Sequence, residues 1–285
     1  MTDHEEQTVT VTAEWLIEHS ADANIIVLDA SWHMPGSGRD AATEFARGHS
    51  PDARFFDIDT INDAGTDLPH MLPEADDFAR MMSELGVSSQ SQVIVYDTVG
   101  IFSAPRAWWM FRAMGHNKVA VLDGGLPAWR AHNGHVTDAR TPLQPARFNA
   151  QKNTTLIASL EAVRTAGTTG IAVLDARPAA RFKGVAPEPR PGLASGHMPG
   201  ARNIPFAEVL TATGMLKPKA ELEAIFGNVA TLTPEKPVIT TCGSGVTAAI
   251  LSLALARIGH PDTALYDGSW AQWGSRADCP VEISH

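Results

Sequence analysis

The chain has 285 residues, 44% of them hydrophobic, and a formal net charge of −10. That length suggests two domains, each able to bury a core of its own. The acidic balance, with no basic cluster, argues against nucleic acid or an anionic membrane as the main partner, although a local pair of arginines can still hold a small anion.

In chain order, the opening MTDHEEQTVT is acidic and polar, without the basic start and apolar run of a signal peptide. No apolar stretch reaches the roughly 18 residues that suggest a membrane span. Ile25–Leu28, Val93–Tyr96 and Val119–Leu122 read as buried strands, and a helix is predicted from about Pro105 to Met114 with Gly115 as its stop. Residues 138–155, DARTPLQPARFNAQKNTT, carry two prolines and little periodicity, which predicts a linker. Ile171–Leu174, Val238–Thr241 and Thr263–Tyr266 read as further strands. Between the last two, Val246, Ile250, Leu253 and Arg257 fall on helical spacing before Gly259.

The second series repeats the first. IIVLDASW matches IAVLDARP, GHSPDARFFDID matches GHMPGARNIPF, QVIVYDTVG matches PVITTCGSG, and MGHNKVAVLDGGLPAW matches IGHPDTALYDGSWAQW. All four pairs are offset by 144 to 148 residues. A constant offset means a duplicated domain. Strand, loop, helix, strand in each copy predicts an α/β fold in two tandem domains, each a parallel sheet flanked by helices on both faces.

Cys242 follows the strand Val238–Thr241 and heads the loop CGSGVT. Ligands of α/β sheets bind beyond the carboxyl ends of the strands. Gly243 and Gly245 permit the backbone dihedrals that turn successive N–H groups inward, and the following helix adds partial positive charge. Such a loop favours a thiolate, and it would equally hold a second, anionic sulfur attached to the first. Position 242 aligns with Asp97 in the other copy, so the first domain keeps the framework but not the thiol and is expected to be catalytically silent. The competing reading is a small buried cysteine.

The features CGSGVT at 242–247, SGHMPGARNIPF at 195–206, LDGGLPAW at 122–129 and YDGSWAQW at 266–273 make the chain resemble the tandem-domain sulfurtransferases of the rhodanese superfamily. The resemblance implies a silent rhodanese-like domain over 1–137, a linker over 138–155 and a catalytic one over 156–285. Within the superfamily, thiosulfate-using members carry basic residues after the cysteine. Members that use 3-mercaptopyruvate carry Cys-Gly-Ser-Gly-Val-Thr, as here. The resemblance further implies that Arg181 and Arg190, in ARFKGVAPEPR, hold the donor's carboxylate and ketone, with Gly243, Gly245, Val246 and Thr247 lining the anion loop. Forked guanidinium donors suit the adjacent oxygens of an α-keto acid. Alanine stands before Arg181 where relatives often have glycine.

A proton relay of Ser244, His70 and Asp59 is implied in the same way. Read from the residues alone, Ser244 could serve loop hydrogen bonding, His70 could be an interface histidine, and Asp59 a cap. His49 and His197, and likewise His116 and His260, recur in both copies and read as structural, as do Trp129 and Trp273. Trp108 and Trp109 read as core or interface residues and Cys279 as an incidental thiol. No Cys/His spacing points to a metal, and no cofactor is expected. Two cysteines 37 residues apart form no disulfide framework, which suits a reducing cytoplasm.

The expected reaction moves sulfur from 3-mercaptopyruvate to Cys242, releases pyruvate and passes the sulfur to a small thiol, thioredoxin or cyanide. One rival is thiosulfate as donor at the same cysteine. Another is a non-enzymatic persulfide carrier. A phosphatase of the Cys-x5-Arg type would need arginine at position 248, which is alanine.

Overall fold

The computed structural model describes residues 9–230 and 237–284. The acidic stretch that opens the chain lies outside them as far as residue 8. The first half runs β1 (Thr10–Val11), α1 (Ala13–His19), β2 (Ile25–Asp29), α2 (Ala41–Arg47), β3 (Arg54–Phe55), α3 (Ala75–Glu84), β4 (Gln92–Tyr96), α4 (Ala104–Ala113), β5 (Val119–Leu122) and α5 (Gly125–Ala131). The second half runs β6 (Ile157–Ala158), α6 (Leu160–Thr169), β7 (Ala172–Asp175), α7 (Ala179–Phe182), β8 (Arg202–Asn203), α8 (Lys219–Val229), β9 (Val238–Thr241), α9 (Ala248–Arg257), β10 (Ala264–Tyr266) and α10 (Ser269–Trp273).

Each half builds one five-stranded parallel sheet, ordered β1-β5-β4-β2-β3 and β6-β10-β9-β7-β8. The two orders are the same topology written twice. In the first, β2 runs beside β4 from Ile25–Gln92 to Asp29–Tyr96; in the second, β7 runs beside β9 from Ala172–Val238 to Asp175–Thr241. Helices cover both faces of these sheets. Val93 and Val95 join the large central core while Ile94 and Tyr96 join the smaller one behind, so β4 is apolar from Val93 to Tyr96.

The central core is shared between the halves. It includes Trp108, Trp109 and Phe111 from α4 together with Ile250, Leu251 and Leu253 from α9, and the two helices lie against each other. Every residue of α4 is buried, as are those of α9 from Ala248 to Leu255. A helix covered all round belongs to an interior, and here that interior is the seam between domains. Of the recurrent histidines, His49 and His197 are structural anchors. The His49 ring stacks on Phe45 and its Nδ1 meets the Phe45 carbonyl at 2.7 Å; the His197 ring stacks on Phe182 and its Nδ1 meets that carbonyl at 2.9 Å.

The seam is stitched reciprocally. The Leu72 N–H donates to Asp267 Oδ2 at 2.6 Å, and the Leu216 N–H donates to Asp123 Oδ1 at 2.9 Å. Leu72 and Leu216 are 144 residues apart, and so are Asp123 and Asp267. The duplication therefore extends to the contacts that join its copies.

Candidate active site

Cys242 leaves the carboxyl end of β9 and is 2% exposed. Its N–H donates to Ser269 Oγ at 3.3 Å, and its carbonyl accepts the Trp270 N–H at 2.9 Å. Ser269 holds φ at +49°, in the region that favours glycine, and its counterpart Gly125 is a glycine. The loop then turns at Gly245, φ +79°, where a Cβ would stand 2.8 Å from Arg106 Nη1. None of the N–H groups of residues 243–247 has an acceptor among the described residues.

The equivalent loop of the first half gives the contrast. Asp97 is fully buried, and its carboxylate accepts five backbone N–H groups, from Val99, Gly100, Phe102, Ser103 and Ala104, at 2.8–3.1 Å. Burial pushes its pKa above the ordinary carboxylate value, while these donors pull it back. The same scaffold thus has its amide groups satisfied by a side-chain carboxylate in one half and, among the described residues, without acceptors in the other.

Arg181 and Arg190 both come to the cysteine loop. A Cβ on Gly243 would lie 3.0 Å from Arg181 Nη2. Arg181 is tied to the Glu188 carboxylate, whose side chain is 2% exposed and whose other oxygen accepts Arg177 Nη1 at 2.7 Å. Arg177 in turn pairs with Asp175 and lies over the Trp270 ring at 4.2 Å. Arg190 is half-buried. Burial lowers its pKa, opposed by the negative charge that Cys242 and Asp59 can carry.

Ser244, His70 and Asp59 meet across the seam. His70 Nδ1 lies 3.1 Å from Ser244 Oγ, and His70 Nε2 lies 2.9 Å from Asp59 Oδ1. The Trp32 indole N–H reaches both Asp59 oxygens at 3.1 Å, and the His70 ring stands edge-on to the Trp32 ring at 5.0 Å. The bond to His70 is the main cause that holds the Asp59 carboxyl below its usual range, so Asp59 is an ionised acceptor at neutral pH. The imidazole then donates from Nε2 and can accept the Ser244 hydroxyl proton at Nδ1. His70 carries a positive φ of 61°. Its carbonyl accepts Arg106, which is fully buried and pairs with Asp267 Oδ1 at 2.5 Å. Arg106, Asp267 and the Leu72 N–H together fix the strap that carries His70.

Sequence reading singled out none of Trp32, Arg106, Glu188, Asp267 or Ser269 in this role. Glu188 lies inside the PEPR motif and Asp267 inside a repeated one, so both carried a signal. Arg106 sat in an apolar helix with nothing to mark it. Among the described residues, no group of three His, Cys, Asp or Glu could hold a metal, and no helix is long and apolar enough to cross a membrane.

Two parallel α/β domains thus bring a cysteine at the head of a strand-to-helix loop, with two arginines near that loop, to the seam between them. The chain belongs to the rhodanese-like family: the model of the rhodanese-like domain matches residues 12–132 and 158–276. It is 46% identical to the 3-mercaptopyruvate sulfurtransferase of Escherichia coli K12, covering 95% of this chain and 97% of that one. It is 44% identical to the thiosulfate sulfurtransferase of Gallus gallus, covering 96% of both. Its structure is similar to the crystal structure of SseA from Escherichia coli, described as a 3-mercaptopyruvate sulfotransferase, with a TM-score of 0.84 at 43% identity, over 92% of this chain and 99% of that one.

Proposed function

We propose that the chain is a sulfurtransferase that takes sulfur from 3-mercaptopyruvate, carries it as a Cys242 persulfide and releases pyruvate. The observation that carries this reading is the pair of loops. Five amide donors gather around one anion at Asp97, and the N–H groups of residues 243–247 after Cys242 have no acceptor among the described residues. A persulfide anion on Cys242 supplies the acceptor that the loop lacks.

In this mechanism Arg190 binds the substrate carboxylate, and Arg181, held by Glu188, donates to the ketone oxygen. The Cys242 thiolate attacks the substrate sulfur, forming an S–S bond. The carbon–sulfur bond breaks, and its electron pair passes to the adjacent carbon as the enolate of pyruvate. Ser244, backed by His70 and Asp59, relays the thiol proton to that carbon. An acceptor thiolate or cyanide then takes the outer sulfur and regenerates Cys242, which gives ping-pong kinetics. The acceptor in this reading is a small thiol, thioredoxin or cyanide. Both cysteines are free thiols, which suits a reducing cytoplasm. The domain division at 138–155, with a first domain silent because Asp97 replaces the cysteine, belongs to the same reading.

Thiosulfate is the second donor to weigh, since a thiosulfate sulfurtransferase is nearly as similar to the chain. The run from Cys242 to Thr247 has no basic side chain, which favours the monoanionic keto acid. Intact mass after brief incubation with each donor, without acceptor, decides the matter. Wild type gains one sulfur from 3-mercaptopyruvate and releases pyruvate, while Cys242→Ser gains none. Sulfur gained from thiosulfate alone overturns the donor assignment, and none from either donor overturns the enzyme reading.

A further inference from the structure

We propose that the first half carries a binding site of its own for a small dianion, over the Asp97 loop. Beyond the carboxyl end of β4 lies a cleft of about 530 Å3 whose lining includes Arg39, Glu44, Arg47, Thr98 and Arg130. That volume suits a small molecule, and the carboxyl end of a parallel sheet is where such folds place ligands.

The cleft reproduces one device of the cysteine site. There, Glu188 holds Arg181 against Gly243, the residue after Cys242. Here, Glu44 holds Arg39 through two bonds of 2.7 Å, and Arg39 reaches the hydroxyl of Thr98, the residue after Asp97, at 3.3 Å. The Glu44 carboxyl is drawn down to about 2, chiefly by Arg39, so it is ionised and its charge is spent on that partner and on His33 at 3.0 Å.

Two further guanidinium groups converge on the cleft. Arg47 and Arg130 have no acidic or hydrogen-bonding side-chain partner among the described residues. By the repeat offsets of 148 and 144, their counterparts are Ser195 and Gly274. Two guanidinium groups thus stand in the half that lacks the thiol at positions where the other half has none, in a chain whose net charge is −10. Asp97 is the other acidic group whose field reaches Arg39, and its charge is compensated by five amide donors. What remains is a concave site with two unspent forked donors, matched to a dicarboxylate or a sulfur oxyanion of two negative charges. With aspartate in place of cysteine, the site binds without chemistry.

Calorimetric titration of the full chain with malonate, and separately with thiosulfate, tests this. Wild type and Arg190→Ala should each bind one dianion at a site outside the cysteine cleft. The double variant Arg47→Ala/Arg130→Ala should weaken that binding about ten-fold or more for each guanidinium removed, with its ligand-free melting temperature unchanged. Arg47→Lys/Arg130→Lys should keep part of the affinity, since charge survives and the fork does not. Binding of malonate alone identifies a dicarboxylate site, and of thiosulfate alone a sulfur-oxyanion site. The proposal is overturned if wild type binds neither probe more tightly than about 10 mM, or if Arg190→Ala abolishes binding that the double alanine variant retains.

Discussion

Asp29 and Asp175 occupy equivalent positions at the ends of β2 and β7, yet their surroundings diverge. Asp175 is neutralised by Arg177, whereas the position equivalent to Arg177 is Ser31 beside Asp29. Burial raises the Asp29 carboxyl from 3.8 to about 6, and one of its oxygens is buried with no hydrogen-bond partner among the described residues. In the folded chain this group keeps its proton up to about pH 6, while in the unfolded chain it releases it near 3.8. The native state thus binds more protons in that window, and stability falls as pH rises from about 4 to about 6. Asp29→Asn should remove about 1–3 kcal/mol of this fall, measured as urea midpoints of both proteins at pH 4, 5, 6 and 7. An unchanged pH slope would show that Asp29 titrates normally. At the cysteine site, Arg190→Ala should cost about 1.5–3 kcal/mol of transition-state binding, roughly a 10- to 100-fold drop in kcat/KM for 3-mercaptopyruvate. The drop should reside mainly in KM if Arg190 grips the carboxylate equally in ground and transition states.

The elements that the sequence disclosed are those buried on both sides. β4, apolar from Val93 to Tyr96, and β9, fully buried with Val238 and Ile239 in cores on its two faces, announced themselves for that reason. The helix expected from about Pro105 to Met114 runs Ala104–Ala113. The one expected after Cys242 begins at Ala248, so Val246 belongs to the loop rather than to the helix. Two-residue strands such as β1, β3, β6 and β8 are too short to show a period, and short helices such as α7 carry one turn of pattern at most. In the candidate site, Cys242 was legible from its place at the head of a glycine-bearing loop, while Ser244, Arg181 and Arg190 came with the resemblance. Its other wall was harder to find. His70 and Asp59 are brought to Ser244 by packing across 174 residues of chain, and their residue types alone left structural roles open. Burial also sets what substitution costs. Leu251 in α9 is fully buried in the shared core, so Leu251→Ala should destabilise by about 2–5 kcal/mol. Gly245→Ala should cost about 1–2 kcal/mol from its left-handed backbone alone, and should also displace Arg106, which lies where the new methyl would go. Chemical denaturation reads both, and a loss below about 0.5 kcal/mol in either would contradict the packing described.

At the scale of the molecule, two copies of one fold are joined by α4 against α9 and by two reciprocal aspartate clamps. α4 is buried throughout and α9 from Ala248 to Leu255, so neither half can shed the other without exposing a core. Heating should therefore give a single calorimetric transition that coincides with the loss of tryptophan fluorescence structure; two resolved transitions would mean the halves are independent. Arg106 belongs to this scale too. Fully buried in α4 and paired with Asp267 of the other half, it couples the seam to the strap that bears His70. The Asp97 loop bears on how such a chain can change over generations. Most residues put in place of a loop cysteine bring no acceptor for the amide groups behind it. Aspartate is an exception, because its own carboxylate closes the loop. A duplicate can cross that single step without losing its architecture, and it is then free to drift toward a different ligand while still propping up its twin.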